Sequence, residues 1–598
     1  MAESIISPGV LTRENDISFI QPAAIQAGAA FIGPTVKGPI EIPTAVTSYN
    51  EYVRKFGETF TSGSTNYEFL TSLSVKNYFS QGGTTALICR IVSSSTNYSS
   101  AQSTFVSGAA FGPYSGSSTE PFTLHTLGEG AMYNNAAGQL SPYLTGSASA
   151  SYINSDGSLV SGSADNLRWE IQNVNNNLGT FTLLVRQGND NTNNPIILET
   201  FSNLSLDPNS PNFIEAVIGS QYRTLLTDSD QNKYVGTVGT YPNNSNYIRV
   251  TANRTTPTYL KNDGVGVNVD TAGISYSASL PNSGAGAFYS ASGVIKSGAT
   301  YFETIGSSQT EAQGLVAANY TDVINVLNNA DEYQFKVITA PGALQSTTLG
   351  TTVNNSIISL AENRGDCIAV VDMVGTGSAI STVATRATGL NSSYAATYWP
   401  WIQVQSATGK NQYVPASVVI PGVYAFTDAA TAPWFAPAGL VRGGIPGVIQ
   451  AERKLTKSDR DTLYLSKVNP IATFPGTGIS VFGQKTLQTK ASALDRVNVR
   501  RLLIELKKFI GDQARNLVFE QNTIATRNRF LATVNPYLES VVQRQGLFAY
   551  RVVMDDTNNT ADVVDRNQLV GQIFIQPTKT IEFVVLDFTI EPTGATFA

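Results

Sequence analysis

FKVITAPGALQSTTLGTTVNNSIISLAENRGDCIAVVDM, residues Phe335 to Met373, decides the fold class. It opens with an apolar strand and a turn, FKVITAPG at Phe335 to Gly342. Val353, Ile357, Leu360 and Ala361 then fall at spacings of three and four, so they share one face of a helix. Gly365 is placed to stop that helix, because glycine takes a left-handed cap without steric cost. A second strand from Cys367 to Met373 completes a strand, helix, strand unit, which nearly always closes as a parallel right-handed crossover. This part of the chain is α/β.

Outward from that unit, the 598 residues are too many for one core and predict several domains. Charged residues make up only 14%, against a usual ~25%, so the surface must be largely neutral and polar. Upstream, residues 1–22 have Pro8 and Gly9 early, Pro22 late and no helical period, and read as an extended arm. Residues 23–92 read as the first part of a discontinuous α/β domain: a strand (AGAAFIG), a turn with Pro34, Gly38 and Pro39, a helix near Tyr67 to Ser80 ended by Gly82 and Gly83, and the strand TTALICRIV. Residues 93–318 shift to Ser, Asn, Gly and Thr with eight basic residues. Pieces such as FTLLVRQG, Phe181 to Gly188, recur there between turn clusters, which predicts a β-rich surface insertion.

Downstream, residues 319–440 form the second part of the α/β domain and residues 441–577 a C-terminal domain. Val499, Leu502, Leu503, Leu506, Ile510, Leu517 and Val518 line one face of its first helix. A second helical stretch begins after Thr523, and Asn535 with Pro536 reads as a fresh N-cap with proline at the first helical position, running to Gly546. Strand candidates follow at Leu547 to Met554, Leu569 to Gln576 and Thr580 to Ile590, and residues 578–598 read as a second arm. The fold class is therefore mixed and multidomain, α+β overall, with an α/β core, extended terminal arms and a large β-rich insertion.

Chemistry is poorly provisioned. His125 is the single histidine and lies in the polar insertion, far in sequence from both cysteines, so a histidine-based triad or metal cluster is not expected. Cys89 and Cys367 lie in the apolar runs ALICRIV and CIAVVD and read as buried thiols. Asp366 and Asp372 bracket a strand and read as turn-capping acids. FPGTGISVFG, Phe474 to Gly483, lacks the glycine and Lys-Ser/Thr positions of a phosphate loop and reads as a tight turn between strands. Arg364, Gly365 and Asp366 spell an adhesion tripeptide, yet they join a helix stop to a buried strand. No catalytic, cofactor-binding or metal-ligating residue is expected. No segment approaches the ~18 apolar residues of a membrane span, and the N-terminus has no basic-then-apolar leader, so folding in a cytoplasm is expected. The net charge of −6 is split: residues 1–440 carry 18 Lys and Arg against 29 Asp and Glu, and residues 441–598 carry 20 against 15. The basic residues of the second segment are interleaved with acids, which argues against direct nucleic-acid binding.

Several stretches resemble the contractile tail sheath family of contractile-tailed, myovirus-type bacteriophages: SPGVLTREND at Ser7 to Asp16, AGAAFIGPTVKGP, NYFSQGGTTALICRIV, FSNLSLDPNSPNFIEAVIG at Phe201 to Gly219, YQFKVITAPG, GDCIAVVD, YWPWIQV and VPASVVIPGVYAFTD. The most specific is NPIATFPGTGISVFGQKTL leading into NVRRLLIELKKFI. The resemblance departs mainly in residues 93–200 and 220–318. It implies an α/β sheath core, six-fold rings of this chain stacked in a helical array around a tail tube protein, assembly from a baseplate with a tail terminator at the far end, and a contraction that drives the tube through a target envelope for genome delivery from a virion tail. The chain would be assembled in host cytoplasm. A β-rich tail fibre or adhesin, and the sheath of a secretion or extracellular injection system, are the alternative readings.

Two sets of residues carry the expected contacts. The arms, with Pro8, Gly9, Val10 and Leu11 at one end and Ile581, Phe583, Val585 and Phe588 at the other, are suited to add strands to a neighbour's sheet. Between Lys485 and Arg529 there are ten basic and four acidic residues. Arg501, Glu505, Lys508, Asp512 and Arg515 recur there at spacings of three and four, so they are expected to form one stripe. With Arg500 and Lys507, that stripe is expected to line the inner wall, since the resemblance implies that the C-terminal domain lies nearest the tube.

Overall fold

The computed structural model describes residues 25–103, 121–135, 154–295 and 309–583, apart from positions 63, 155, 192, 231, 263, 272, 274 and 477. Its centre is an eight-stranded sheet of β1 (Ile25–Gly33), β2 (Thr44–Val46), β3 (Ala86–Arg90), β4 (Tyr333–Leu344), β5 (Ile368–Asp372), β6 (Ala395–Trp399), β7 (Asn469–Phe474) and β8 (Gly478–Val481), in the spatial order β2-β3-β1-β4-β5-β6-β7-β8. The six strands from β3 to β7 run parallel, and β2 and β8 close the two edges antiparallel. The pairing of β1 with β4, Ile25 opposite Tyr333 through Phe31 opposite Thr339, joins halves of the domain that lie some 300 residues apart in the chain.

Parallel strands need helical crossovers, and helices then cover both faces, so the strands read as continuous apolar runs. Ala30, Ile32, Leu87, Cys89, Ile338, Ala369 and Val371 face one core, shared with α3 (Ala318–Leu327), α4 (Thr348–Arg364), α5 (Ile380–Thr388) and Leu463 of α7 (Lys457–Leu465). Ala29, Phe31, Ala86, Ile88, Val337, Ile368 and Val370 face the other, shared with α1 (Tyr49–Phe56), α2 (Leu70–Ser80) and α6 (Ile420–Ala430). The decisive unit folds as read: Thr347 caps α4 through its hydroxyl, which accepts from Gly350 N at 3.0 Å, and Gly365 closes it at φ 70°. Two details differ. The turn read at Pro341 and Gly342 is a continuation of β4, whose register against β5 shifts between Thr339 and Leu344, so the proline sits where a ladder bond is already lost. The helix read from Tyr67 begins at Leu70, because Thr65–Glu68 pairs with Thr59–Ser62 as a hairpin.

Residues 100–289 contain a second, antiparallel sheet in the order Ile197–Ser205, Thr180–Gln187, Leu167–Asn175, Gly284–Tyr289, Ser100–Ser103, Phe122–Glu129, Ile248–Ala252. Its own core holds Phe122, Leu124, Trp169, Phe181, Leu183, Val185, Val250 and Phe288. Buried Asp190 sits between Arg168 at 3.1 Å and Arg186 at 2.6 Å, and Arg186 also reaches Glu170. A Lys37 to Asp165 ion pair at 2.9 Å, and an Arg223 to Glu332 pair at 3.4 Å from the separate hairpin Tyr222–Thr227 with Lys233–Val238, tie this part of the chain to the central domain.

The chain after β8 forms α8 (Val497–Arg515), α9 (Ile524–Gln543) and a hairpin of β9 (Leu547–Val553) and β10 (Gln572–Pro577) around Trp434, Leu502, Leu506, Phe530, Val534, Leu538 and Val541. The separate helix read from Asn535 does not exist. α9 runs unbroken through Pro536 and is capped at Thr523, whose hydroxyl accepts from Thr526 N at 3.3 Å. Proline inside a helix costs about 3 kcal/mol, but Phe530, Val534, Leu538 and Val541 keep one buried face across it, and that burial outweighs the lost bond.

Candidate functional site

α8 carries all the residues of the charged stripe read from the sequence, and its two ends behave differently. The first three turns are enclosed. Val497 and Ile504 enter the second core of the central sheet, while Leu502 and Leu506 enter the C-terminal core. Arg500 is only 4% exposed; its guanidinium lies 3.9 Å from the centre of the Tyr394 ring and donates to Ser393 O at 3.2 Å. Arg501, equally buried, pairs with Asp428 at 2.5 Å over the Tyr424 ring. Both arginines are thus held by their own chain, with their guanidinium groups buried in it. Charge spacing alone could not reveal this, since Tyr394, Tyr424 and Asp428 come from distant segments. Glu505 is engaged as well, by Lys336 at 2.8 Å.

The outer half of the helix is open. Lys507 is exposed and donates to Tyr394 OH at 3.2 Å; Lys508 is half-buried and Asp512 exposed. Arg515 pairs with Asp331 at 2.7 Å, both side chains being well exposed. Exposed pairs of this kind contribute only ~0 to 1 kcal/mol, so these groups can exchange partners at little cost.

The β9–β10 hairpin is the feature that sequence reading missed as a site. Tyr550, Val552, Ile573 and Ile575 pack on the C-terminal core, whereas Phe548 and Phe574 are 61% and 56% exposed. Among the described residues neither strand has a second neighbour, so both outer edges present unpaired backbone groups, a template for further strands. Of the arm residues, Ile581 and Phe583 are largely exposed, at 85% and 78%. Pro8, Gly9, Val10, Leu11, Val585 and Phe588 lie outside the described residues.

The other sequence candidates are structural. Arg364 and Asp366 form a partly buried ion pair. FPGTGISV is the β7–β8 hairpin. Asp372 is buried and accepts from the backbone N of Ser417 at 3.1 Å and from its hydroxyl; burial pushes its carboxyl up to about 6 despite those bonds. Burial and nearby Arg249 hold His125 down at about 4. Burial raises both thiols well above their usual range. Among the described residues no group of three His, Cys, Asp or Glu side chains could hold a metal, and no helix is long and apolar enough to cross a membrane.

Residues 313–487 match the phage tail sheath protein central domain, and residues 489–591 match the phage tail sheath C-terminal domain. The two matches together run from residue 313 to residue 591. The chain is 34% identical over 289 residues to the tail sheath protein of Vibrio phage KVP40, covering 44% of this chain and 43% of that one. It is 33% identical over 271 residues to the tail sheath protein of Enterobacteria phage T4, covering 42% and 41%. The chain thus spans less than half the length of these sheath relatives. A solved sheath tail protein of Listeria innocua aligns over 93% of this chain and 96% of its own, at 10% identity and a TM-score of 0.49.

Proposed function

We propose that this chain is the structural sheath subunit of a contractile phage tail, a virion component without catalytic work. Copies stack as six-fold rings around a tail tube protein, start from a baseplate, end at a tail terminator, and contract to drive the tube through the target envelope. The observation that carries this reading is the two-stranded β9–β10 hairpin, open at both edges among the described residues, in a segment that matches the sheath C-terminal domain. A two-stranded hairpin is marginal on its own, and arm strands from other copies would complete it by β-augmentation. Links through flexible arms survive rotation of the bodies they join, as a contracting mesh requires.

The grip on the tube then falls to the outer half of α8, with Lys507, Lys508, Asp512 and Arg515, while Arg500, Arg501 and Glu505 fix the helix that presents them. Repeated weak charge pairs set register and release when the array widens. Negative-stain microscopy of the purified chain tests the assembly: long hollow tubes are expected, and isolated trimers or rods would replace the sheath reading with a fibre. Reversing Lys507, Lys508 and Arg515 to Glu together tests the grip. Empty, already widened tubes are expected, and normal assembly on the tail tube would sink it.

A further inference from the structure

Residues 578–583 leave the hairpin without entering any strand, yet they are firmly held at one point. Thr578 N donates to Gly546 O at 3.2 Å, and the Glu582 carboxylate then meets three donors from elsewhere. Arg496 binds it through two nitrogens, at 2.6 and 2.9 Å; Tyr464 donates its hydroxyl, and Gln484 its amide at 3.1 Å. Gln484 also donates to the Thr580 hydroxyl. Ile581 and Phe583 on either side of Glu582 point outward, as alternate residues of an extended chain must. Tyr464 belongs to α7 and Arg496 precedes α8, so the carboxylate ties the exit of the C-terminal domain to its entry, 86 residues earlier.

We propose that Glu582 is a clasp that carries load from the C-terminal arm into the α/β core, so that tension between copies of this chain bypasses the β9–β10 hairpin. The proposal rests on the reading of residues 578–598 as an arm that joins a second copy. A pull on the chain beyond Phe583 that met no clasp would run straight into β10. It would open the β10 bonds to β9 one after another, which needs little force because each bond is broken alone. With the clasp closed, the same pull meets several charge-assisted bonds at once. It is then passed to α7, whose Leu463 lies in the central core. Burial opposes the charge on Glu582, but hydrogen bonds from Arg496, Tyr464 and Gln484 overcome it and hold the carboxyl below its usual range. The clasp is therefore closed at neutral pH and weakens only as pH falls through that lowered value.

Two measurements on the full chain test this, with Glu582→Ala and, should that variant fold poorly, the isosteric Glu582→Gln. By hydrogen exchange, the Thr578 amide, which donates to Gly546 O, should exchange about tenfold faster or more in the variant. In force spectroscopy with one handle at Lys457→Cys and the other at the C-terminus, the variant should show an early step that releases on the order of 10 nm, the hairpin and its connection. Wild type should lack that step. Equal exchange and an equal early step in both chains would overturn the clasp. Deleting residues 584–598 separately judges the arm: tubes that still form without it overturn the arm reading and leave the force trace to judge the clasp.

Discussion

The central sheet and the sheet of the insertion contain eight and seven strands, and a strand from each shows two opposite ways of burying residues. In β5 all five residues of IAVVD are buried, and successive ones feed different cores. In Phe122–Glu129 burial alternates strictly, with Phe122, Leu124 and Thr126 inside and Thr123, His125 and Leu127 partly open. Parallel pairing forces helices onto both faces, whereas an antiparallel sheet can leave one face to solvent. The same contrast extends to charge. Asp190, in the insertion, is buried between two arginines, while Asp372, in the central sheet, is buried on hydrogen bonds from neutral groups of Ser417 and Gly342. Two self-sufficient cores in one chain imply two units that can fail separately.

The strongest test of that separation is Trp169→Ala, which empties the centre of the insertion core and should cost about 3 to 5 kcal/mol. Calorimetry should show one transition falling and the transition of the central sheet unmoved; a joint shift would make the two sheets one cooperative unit. Asp190→Asn comes next, at about 3 kcal/mol, because Arg168 is left buried without its carboxylate and Arg186 keeps only Glu170. Its effect should stay within the insertion, as read by hydrogen exchange of Leu167–Asn175 against β5. Asp372→Asn should act in the opposite direction. A folded-state value near 6 lies above the ordinary 3.8, so the stabilising protonated form prevails below about pH 4 and is lost as pH rises through 6. The asparagine variant should match wild type near pH 4 and exceed it by on the order of 3 kcal/mol at pH 8. A gap that does not widen with pH would show that the carboxylate is relieved by more than its bonds from Ser417 and Gly342. The smallest effect is expected from a short tag after Gly264, which has open space around it; stability should change by less than about 0.5 kcal/mol, and tubes should still form. Gly157 is a poorer place, because its carbonyl accepts from buried Arg168 at 2.9 Å.

How far such contrasts could be read beforehand depends on range. The β4–α4–β5 unit was legible because period, cap and stop all lie within 40 residues of sequence. FTLLVRQG was legible as a strand, but the order of the seven strands was not, since their pairing joins Ser100 to Glu129 and Gly284 to Ile171 across long connections. Pro536 misled because local chemistry favours a start there, whereas Val534 and Leu538 on either side both pack into one core. The charged face of α8 was visible as spacing, but spacing cannot separate Arg501, which finds Asp428, from Asp512, which stays in solvent. The clasp was hidden for the same reason: Tyr464, Gln484, Arg496 and Glu582 share no local pattern.

α8 has a practical consequence for anyone who would exchange parts between relatives. The two family domains meet at residue 488, which invites a cut just before this helix. The helix, however, places Val497 and Ile504 in one domain's interior and Leu502 and Leu506 in the other's. A chimera spliced at 488 would import Arg500 and Arg501 without Tyr394, Tyr424 and Asp428 and strand two guanidinium groups in a foreign interior. A workable seam has to keep the helix and the three residues that receive it under one parent.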